Sequence, residues 1–470
     1  MKFIILIPAL IAVFPLSGKI LGSAKWYRAV WILLGFFCFG VTLSSSFAMS
    51  VYAWPFWNGH VKGFEITALD LLALALFLAQ RQSSKLSHVE TKFPLKAQAT
   101  VFLLAALFSV AMSSLPIASG FYLWQCIRIV FITYAVWKGC AGDEKVAGYL
   151  FLGLGIGLCL EAVVVLWLKV TTGVVQSTGT FGHQNMLGMT THFVVFPFAA
   201  MILSRKTTLW EKSVVLGGAV IVILTASRAT IGLFGLGVAT VLILSVFLHP
   251  NARKLGMLLV FLAASAIAIP LALSSLDNRF GGAPLSDEYD ERAAYGAAAK
   301  AMSAAYPLGV GANTFVVVAN SKGFYANAGV AQVFNSLSGH VHNVYLLILA
   351  EMNIVGLAAF IWGLAIVIVS CFRGAVREPE SERGAMLLGI FVAFTIVAAH
   401  SWFEWVFITA TEQYFSAVAG GVGLALSKKQ LNAPPQKSAS KVSRAERPES
   451  RPGQSAPSGQ GQPRVDQGQC

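Results

Sequence analysis

The stretch Leu346–Ser370, LLILAEMNIVGLAAFIWGLAIVIVS, carries one carboxylate, Glu351, and no cation over more than the ~20 residues of helix that cross ~30 Å of hydrocarbon. It lacks the period-two alternation that a lipid-facing barrel strand needs, and Val214–Leu224 repeats the same unbroken apolar character. Apolar runs of this kind recur along almost the whole chain, separated by short polar joints. The 470 residues are 56% hydrophobic and only 12% charged, with a mean hydropathy of +0.70, against roughly 25% charged residues in a soluble domain. Backbone groups in lipid must be satisfied internally, so the expected fold is all-α: a polytopic membrane helix bundle of about 12–13 transmembrane helices with one long outer loop that itself contains helix. The expected parts are N-terminal transmembrane helices over 1–275, a loop domain over 276–341, C-terminal transmembrane helices over 342–426, and a basic tail over 427–470.

The opening Met1-Lys2 and apolar Phe3–Leu16 resemble a signal peptide in outline. No small-x-small cleavage site precedes Lys19 and more apolar sequence follows at once, so a short first membrane helix is the better expectation. The six cysteines form no C-x-x-C pair and no His/Cys cluster, which argues against zinc, iron–sulfur and disulfide frameworks.

Lys and Arg concentrate in alternate joints, at Lys19–Arg28, Arg81–Lys96, Lys138–Lys145, Arg205–Lys212, Arg253–Lys254 and Arg373–Arg383. The positive-inside rule makes these cytoplasmic. The intervening joints around Tyr52–Gly63, Ser113–Gly120, Thr171–Gly182 and Ala226–Ala229 are then outer, as is the long segment from about Leu276 to Val341. The tail from Ser427 falls inside; it is rich in Pro, Gln, Ser, Gly and charge, is expected to be disordered, and supplies much of the net charge of +13. A solvated tail explains it, with anionic membrane lipids or an acidic cytoplasmic partner as the alternative. No basic-aromatic platform accompanies the charge, which argues against nucleic acid as a partner.

Four places on the outer side carry polar groups that a plain bundle does not need. Thr178–Gly188 is a Gly-punctuated turn feeding a helix, a geometry in which backbone N–H groups approach an anion; Asn185 lies at its helical end. Thr225–Thr230 contains Ser227 and Arg228, an Arg on the low-charge side. Its candidate roles are a bidentate phosphate contact or a reach to lipid headgroups. Asp287–Tyr306 is Ala-rich and Pro-free, and a helix there puts Arg292, Tyr295, Ala299 and Met302 on one face. His340, His342 and Asn343 open the apolar helix of Glu351, and His400-Ser401-Trp402-Phe403-Glu404 sits near the last outer turn. Titratable groups gathered at a membrane border point to a site. Arg128, inside another apolar run, is either a further cation of that site or the partner of Glu161.

Taken in order, these motifs resemble the O-antigen ligase and polysaccharide polymerase superfamily, multi-spanning glycosyltransferases of the bacterial inner membrane, over roughly Thr178–Leu424. Gly-Thr-Phe-Gly-x-x-Asn-x-x-Gly stands at Gly179–Gly188, Ser-Arg at Ser227-Arg228, and Arg-x-x-aromatic followed by Pro-Leu-Gly-Val-Gly at Arg292, Tyr295 and Pro307–Gly311. His342-Asn343 opens the family's H-N-x9-G-x-x-G pattern, with Asn353 in place of its first Gly and Gly356 as its second; Tyr295 stands where the family usually has Trp. The resemblance implies metal-independent, cofactor-free transfer of a glycan from polyprenyl diphosphate to a saccharide, lipid or protein hydroxyl. The transfer would occur at the periplasmic face during surface-polysaccharide assembly, alongside polysaccharide-assembly proteins. It implies that Arg228 and Arg292 bind the diphosphate and that His342 orients the acceptor hydroxyl or takes its proton. Asn185, Ser227, Tyr295, His340, Asn343, Arg128, His400 and Glu404 become candidate substrate-binding residues. Asp287, Asp290 and Glu291 keep a metal site open. The His400-Ser401-x-x-Glu404 stretch favours a repeat-unit polymerase slightly over an O-antigen ligase or a protein-glycosylating enzyme. A lipid-linked sugar flippase, which needs inverted repeats not visible here, and a scaffold acting through the basic tail are the rivals from other classes.

Overall fold

The computed structural model describes residues 2–44, 47–82, 92–205, 208–263, 266, 270 and 286–428; the side chains of 2–5 and 286–290 are not among them. The expectations for the tail beyond Lys428, for Lys85 and Lys206, for the start of the long loop and for the Asp287 and Asp290 side chains therefore lie outside the described residues.

In chain order the helices are α1 Lys2–Gly22, α2 Ala24–Leu43, α3 Ala68–Gln82, α4 Lys96–Met112, α5 Pro116–Gly142, α6 Lys145–Thr172, α7 Gln184–Ser204, α8 Leu209–Thr225 and α9 Arg228–Leu248. After these come α10 Ser286–Ala305, three short helices α11 Phe315–Ser321, α12 Phe324–Ala328 and α13 Phe334–Leu337, and then α14 Val344–Arg377, α15 Glu382–His400 and α16 Ala410–Lys428. Among the described residues seven helices, α2, α5, α6, α7, α9, α14 and α15, are long and apolar enough to cross a membrane, against the about 12–13 expected. Leu6–Gly22 and Lys96–Met112 are apolar but shorter. The protein is an all-α, multi-pass membrane bundle. Its one departure among the described residues is an antiparallel hairpin of β1 Ala48–Ala53 and β2 Gly63–Thr67. Asn313 pins that hairpin: its Nδ2 donates to Val61 O at 2.7 Å and its Oδ1 accepts from Val61 N at 2.9 Å.

Lipid gives helices no hydrophobic reason to associate, so close backbone approach must hold them. The α2–α6 contact has that form. A Cβ on Gly35 would sit 2.2 Å from Leu150 O, and one on Gly153 would sit 2.0 Å from Ile32 O. One intramembrane cation is neutralised by a carboxylate. Arg128 of α5 pairs with Asp70 of α3 at 2.8 Å and hydrogen-bonds the Tyr414 hydroxyl of α16. Its partner is thus not Glu161, which instead accepts from Thr180 N and Oγ1 at 2.7 and 2.8 Å and anchors the 173–183 loop.

The joints separate into two ends. Arg205 pairs with Glu211 and Glu382, Arg253 donates to Arg205 O, His249 meets Glu380, and Arg383 reaches Glu378. Three Lys/Arg-bearing joints thereby gather at one end. At the low-charge end, Ser177 N donates to Leu224 O at 2.9 Å and Gln176 reaches Ala226 O, joining the loop before α7 to the turn before α9.

Helix α14 bends at Asn353, whose φ of 61° and ψ of −173° fall where only glycine is at ease. The break frees two carbonyls: Ala350 O accepts from Val310 N at 3.0 Å and Glu351 O from Gly311 N at 3.1 Å. Asn353 offsets part of its strain by accepting from Val355 N and donating to Leu308 O.

Candidate functional site

Among the helices that begin at the low-charge end, α7, α9 and α14 each carry a side-chain cap. His183 Nδ1 accepts from Asn185 N at the start of α7, Ser227 Oγ from Thr230 N at the start of α9, and Asn343 Oδ1 from Leu346 N at the start of α14. A cap satisfies one of the N–H groups a helix start leaves open, and the remaining N–H groups give that end partial positive charge. A Cβ on Gly188 would lie 2.3 Å from Thr230 Cγ2, so the first turns of α7 and α9 are in contact. The start of α14 is tied to the end of α15 by Val344 N to Ser401 O at 2.9 Å and Tyr345 Oη to Ala398 O at 2.7 Å.

These ties place Glu404, just past α15, between the helix starts. Its side chain is 1% exposed. Oε2 lies 3.2 Å from His342 Nδ1, while Oε1 accepts from Asn185 Nδ2 and, at 3.3 Å, from Arg292 Nη2. Burial pushes the carboxyl up, but the hydrogen bond and charge of His342, followed by the charges of Arg292 and His183, outweigh it and hold Glu404 below the usual carboxylate range. His342 and Arg292 remain reachable from solvent, at 24% and 36% side-chain exposure. A buried carboxylate therefore holds an accessible imidazole and an accessible guanidinium side by side.

The structure brings together Asn185, Arg292, His342 and Glu404 of the expected residues, with Asn343 donating to Trp402 O at 3.3 Å and Tyr295 6.3 Å from the His342 ring. The expected face of α10 is present: Tyr295, Ala299 and Met302 are buried while Arg292 reaches Phe403 O and Glu404. Ser227 caps α9 and Arg228 is its exposed first residue, two positions before the Thr230 that meets Gly188. Three residues lie elsewhere. Arg128 is held by Asp70 and Tyr414, as above. His340 turns away from His342 and stacks on Trp405 at 4.3 Å and 15°; burial, aided by the charge of His342, pulls its pKa down to about 3. His400 is 0% exposed in the bundle core, 5.9 Å from the His192 ring. Glu351, grouped by sequence with His342, instead accepts from Phe315 N at 2.9 Å and caps α11.

His183 was not among the expected residues. Its charge contributes to Glu404, and burial lowers its own pKa. The signal was its position before Gln184, a weak one because Ser, Thr, Asp and Asn are the usual caps. Among the described residues no group of three or more His, Cys, Asp or Glu is placed to hold a metal ion.

A family model described as O-Antigen ligase matches residues 213–361, a span that contains Arg228, Arg292 and His342. No curated protein matches the chain. The family match supports membership of this protein in the O-antigen ligase and polymerase superfamily of surface-polysaccharide assembly.

Proposed function

We propose that the protein transfers a glycan from a polyprenyl diphosphate to a hydroxyl acceptor at the periplasmic face of the bacterial inner membrane. The observation that carries this reading is the convergence of His342, Arg292 and Asn185 on one buried carboxylate at the low-charge end. A carboxylate accepting the Nδ1 proton of His342 leaves Nε2 as the basic nitrogen, the arrangement a general base requires. The acceptor oxygen attacks the anomeric carbon, its proton passes to His342 Nε2, and the bond from that carbon to the diphosphate oxygen breaks with its electron pair leaving on the diphosphate. Arg292 and Arg228, with the first N–H groups of α9, stabilise the charge that develops there. No step calls for a metal or cofactor. Repeat-unit polymerisation is favoured over ligation because Glu404, from the stretch that suggested it, is the residue on which the cluster is built.

The test is a reconstituted reaction with a polyprenyl-diphosphate-linked oligosaccharide, resolving products by gel and mass for wild type and His342→Ala. A ladder of longer lipid-linked glycans indicates a polymerase, and glycan moved to an added lipid or peptide acceptor indicates a ligase or protein glycosylation. Absence of His342-dependent transfer to every acceptor offered overturns the reading.

A further inference from the structure

Between α10 and the segment 328–336 lies an open cleft of about 720 Å³. Its size is within the ~300–1,000 Å³ of small-molecule sites. Consecutive helical residues point about 100° apart, so α10 presents Arg292 to Glu404 and its neighbour Glu291 to the cleft. Glu291 Oε1 is buried and has no hydrogen-bond partner among the described residues. The rest of the wall is small: Ala297, Ala328 and Ala331, with Ser336 at one side. Ser336 O accepts from Tyr295 Oη at 2.7 Å, and the Tyr295 ring is 6.3 Å from that of His342, so one side chain separates the cleft from the imidazole.

The chemistry of the wall selects its occupant. The described lining residues include no cation and no aromatic ring, which disfavours both a phosphate and a polyprenyl chain. A buried carboxylate oxygen and a hydroxyl in a shell of methyl groups suit a ligand that brings many O–H or N–H donors in little width. We propose that this cleft binds the acceptor as a neutral or amino sugar, Glu291 accepting from its hydroxyls, with Tyr295 directing the reactive hydroxyl towards His342. The proposal rests on the transferase reading for what happens next, but binding itself is measurable without transfer. An anionic sugar is rejected by Glu291, so the two carboxylates of this region divide the work: Glu404 supports the chemistry and Glu291 reads the acceptor.

The test is calorimetric titration of the purified full chain with neutral and uronic-acid oligosaccharides released by mild acid from the host cell's surface polysaccharide, alongside acceptor KM in the transfer reaction. Ala297→Trp fills the cleft from an exposed wall position and is expected to weaken neutral-fragment binding tenfold or more. Glu291→Gln is expected to weaken it about fivefold and to narrow the preference for neutral over acidic fragments. Wild-type protein that binds no fragment, or Ala297→Trp and Ala331→Trp variants that bind with unchanged affinity and KM, overturns the proposal. Binding that Ala297→Trp blocks in a protein that transfers nothing keeps the cleft and removes the transferase reading; transfer with an unchanged KM in Ala297→Trp does the reverse.

Discussion

Glu404 Oε2 lies 3.2 Å from His342 Nδ1, with the carboxylate buried and the imidazole partly exposed. Sixty-two positions of chain separate the two residues. The pair forms because Val344 N and Tyr345 Oη tie the start of α14 to the end of α15, and not through any local sequence pattern.

Acidification tests the buried histidine beside this pair. The pKa of His340 is lowered to about 3 by burial and by the charge of His342, whereas an unfolded His titrates near 6.5. Between those values the unfolded chain binds a proton that the folded one refuses, so stability is fully present above the unfolded value and declines as pH falls below it. The expected loss from His340 is about 2 kcal/mol between pH 7 and pH 5. His60 and His183, also lowered by burial, act in the same direction. Glu404 adds its own loss only below the usual carboxylate range, as its folded pKa is crossed. Melting curves at pH 7 and pH 5 should show a smaller decrease in His340→Phe, which keeps a ring against Trp405, than in wild type. An equal decrease in both contradicts this account.

The Arg128–Asp70 pair is structural. Its side chains are 6% and 13% exposed, and removing one partner leaves a buried charge uncompensated. Arg128→Ala should cost about 3–5 kcal/mol of stability. Folded Arg128→Ala protein should retain transfer per molecule, and a selective loss of turnover with unchanged melting would return Arg128 to the site.

Asn353 occupies a backbone conformation suited to glycine, a strain on the order of 1–3 kcal/mol. Asn353→Gly relieves that strain while losing two hydrogen bonds of about 1 kcal/mol each, so its melting should stay within about 1 kcal/mol of wild type. Asn353→Leu keeps the strain and loses both bonds, and should be destabilised by about 2 kcal/mol or more. Equal stability of the two variants would show that the bend at Asn353 is absent in the folded protein.

Gly179 holds φ at +55°, and a Cβ there would sit 1.9 Å from Glu161 Oε1. Gly179→Ala must displace the carboxylate that anchors Thr180, shifting the loop that delivers Asn185. A stability loss on the order of 2 kcal/mol and a fall in transfer are expected together. Wild-type melting in Gly179→Ala would show that the loop is not held by Glu161.

The bundle was legible because stretches such as Leu346–Ser370 need no partner to be recognised as membrane-length. His342, Arg292 and Asn185 were legible because each opens, or rides on, a helix marked by local punctuation. Glu404 was legible as the end of the His400-Ser401-x-x-Glu404 stretch and as a candidate substrate-binding residue, but its contacts with His342, Arg292 and Asn185 depend on which helix starts meet it. The partner of Arg128 was equally hidden. Asp70 and Glu161 are both carboxylates within apolar runs, and only the packing of α3 on α5 chooses between them. The hairpin at 48–67 was missed because it depends on Asn313, more than 200 positions away.

The most direct test of the central claim is a double-mutant cycle on the rate of glycan transfer from polyprenyl diphosphate, using wild type, His342→Ala, Glu404→Gln and the double variant. If Glu404 acts by orienting His342, His342→Ala should lose about 10²–10⁴-fold. Glu404→Gln should lose on the order of 10²-fold, and the double variant should be no more than a few-fold slower than His342→Ala alone. Losses that multiply across the two positions, or a His342→Ala protein that transfers at the wild-type rate, would contradict the account.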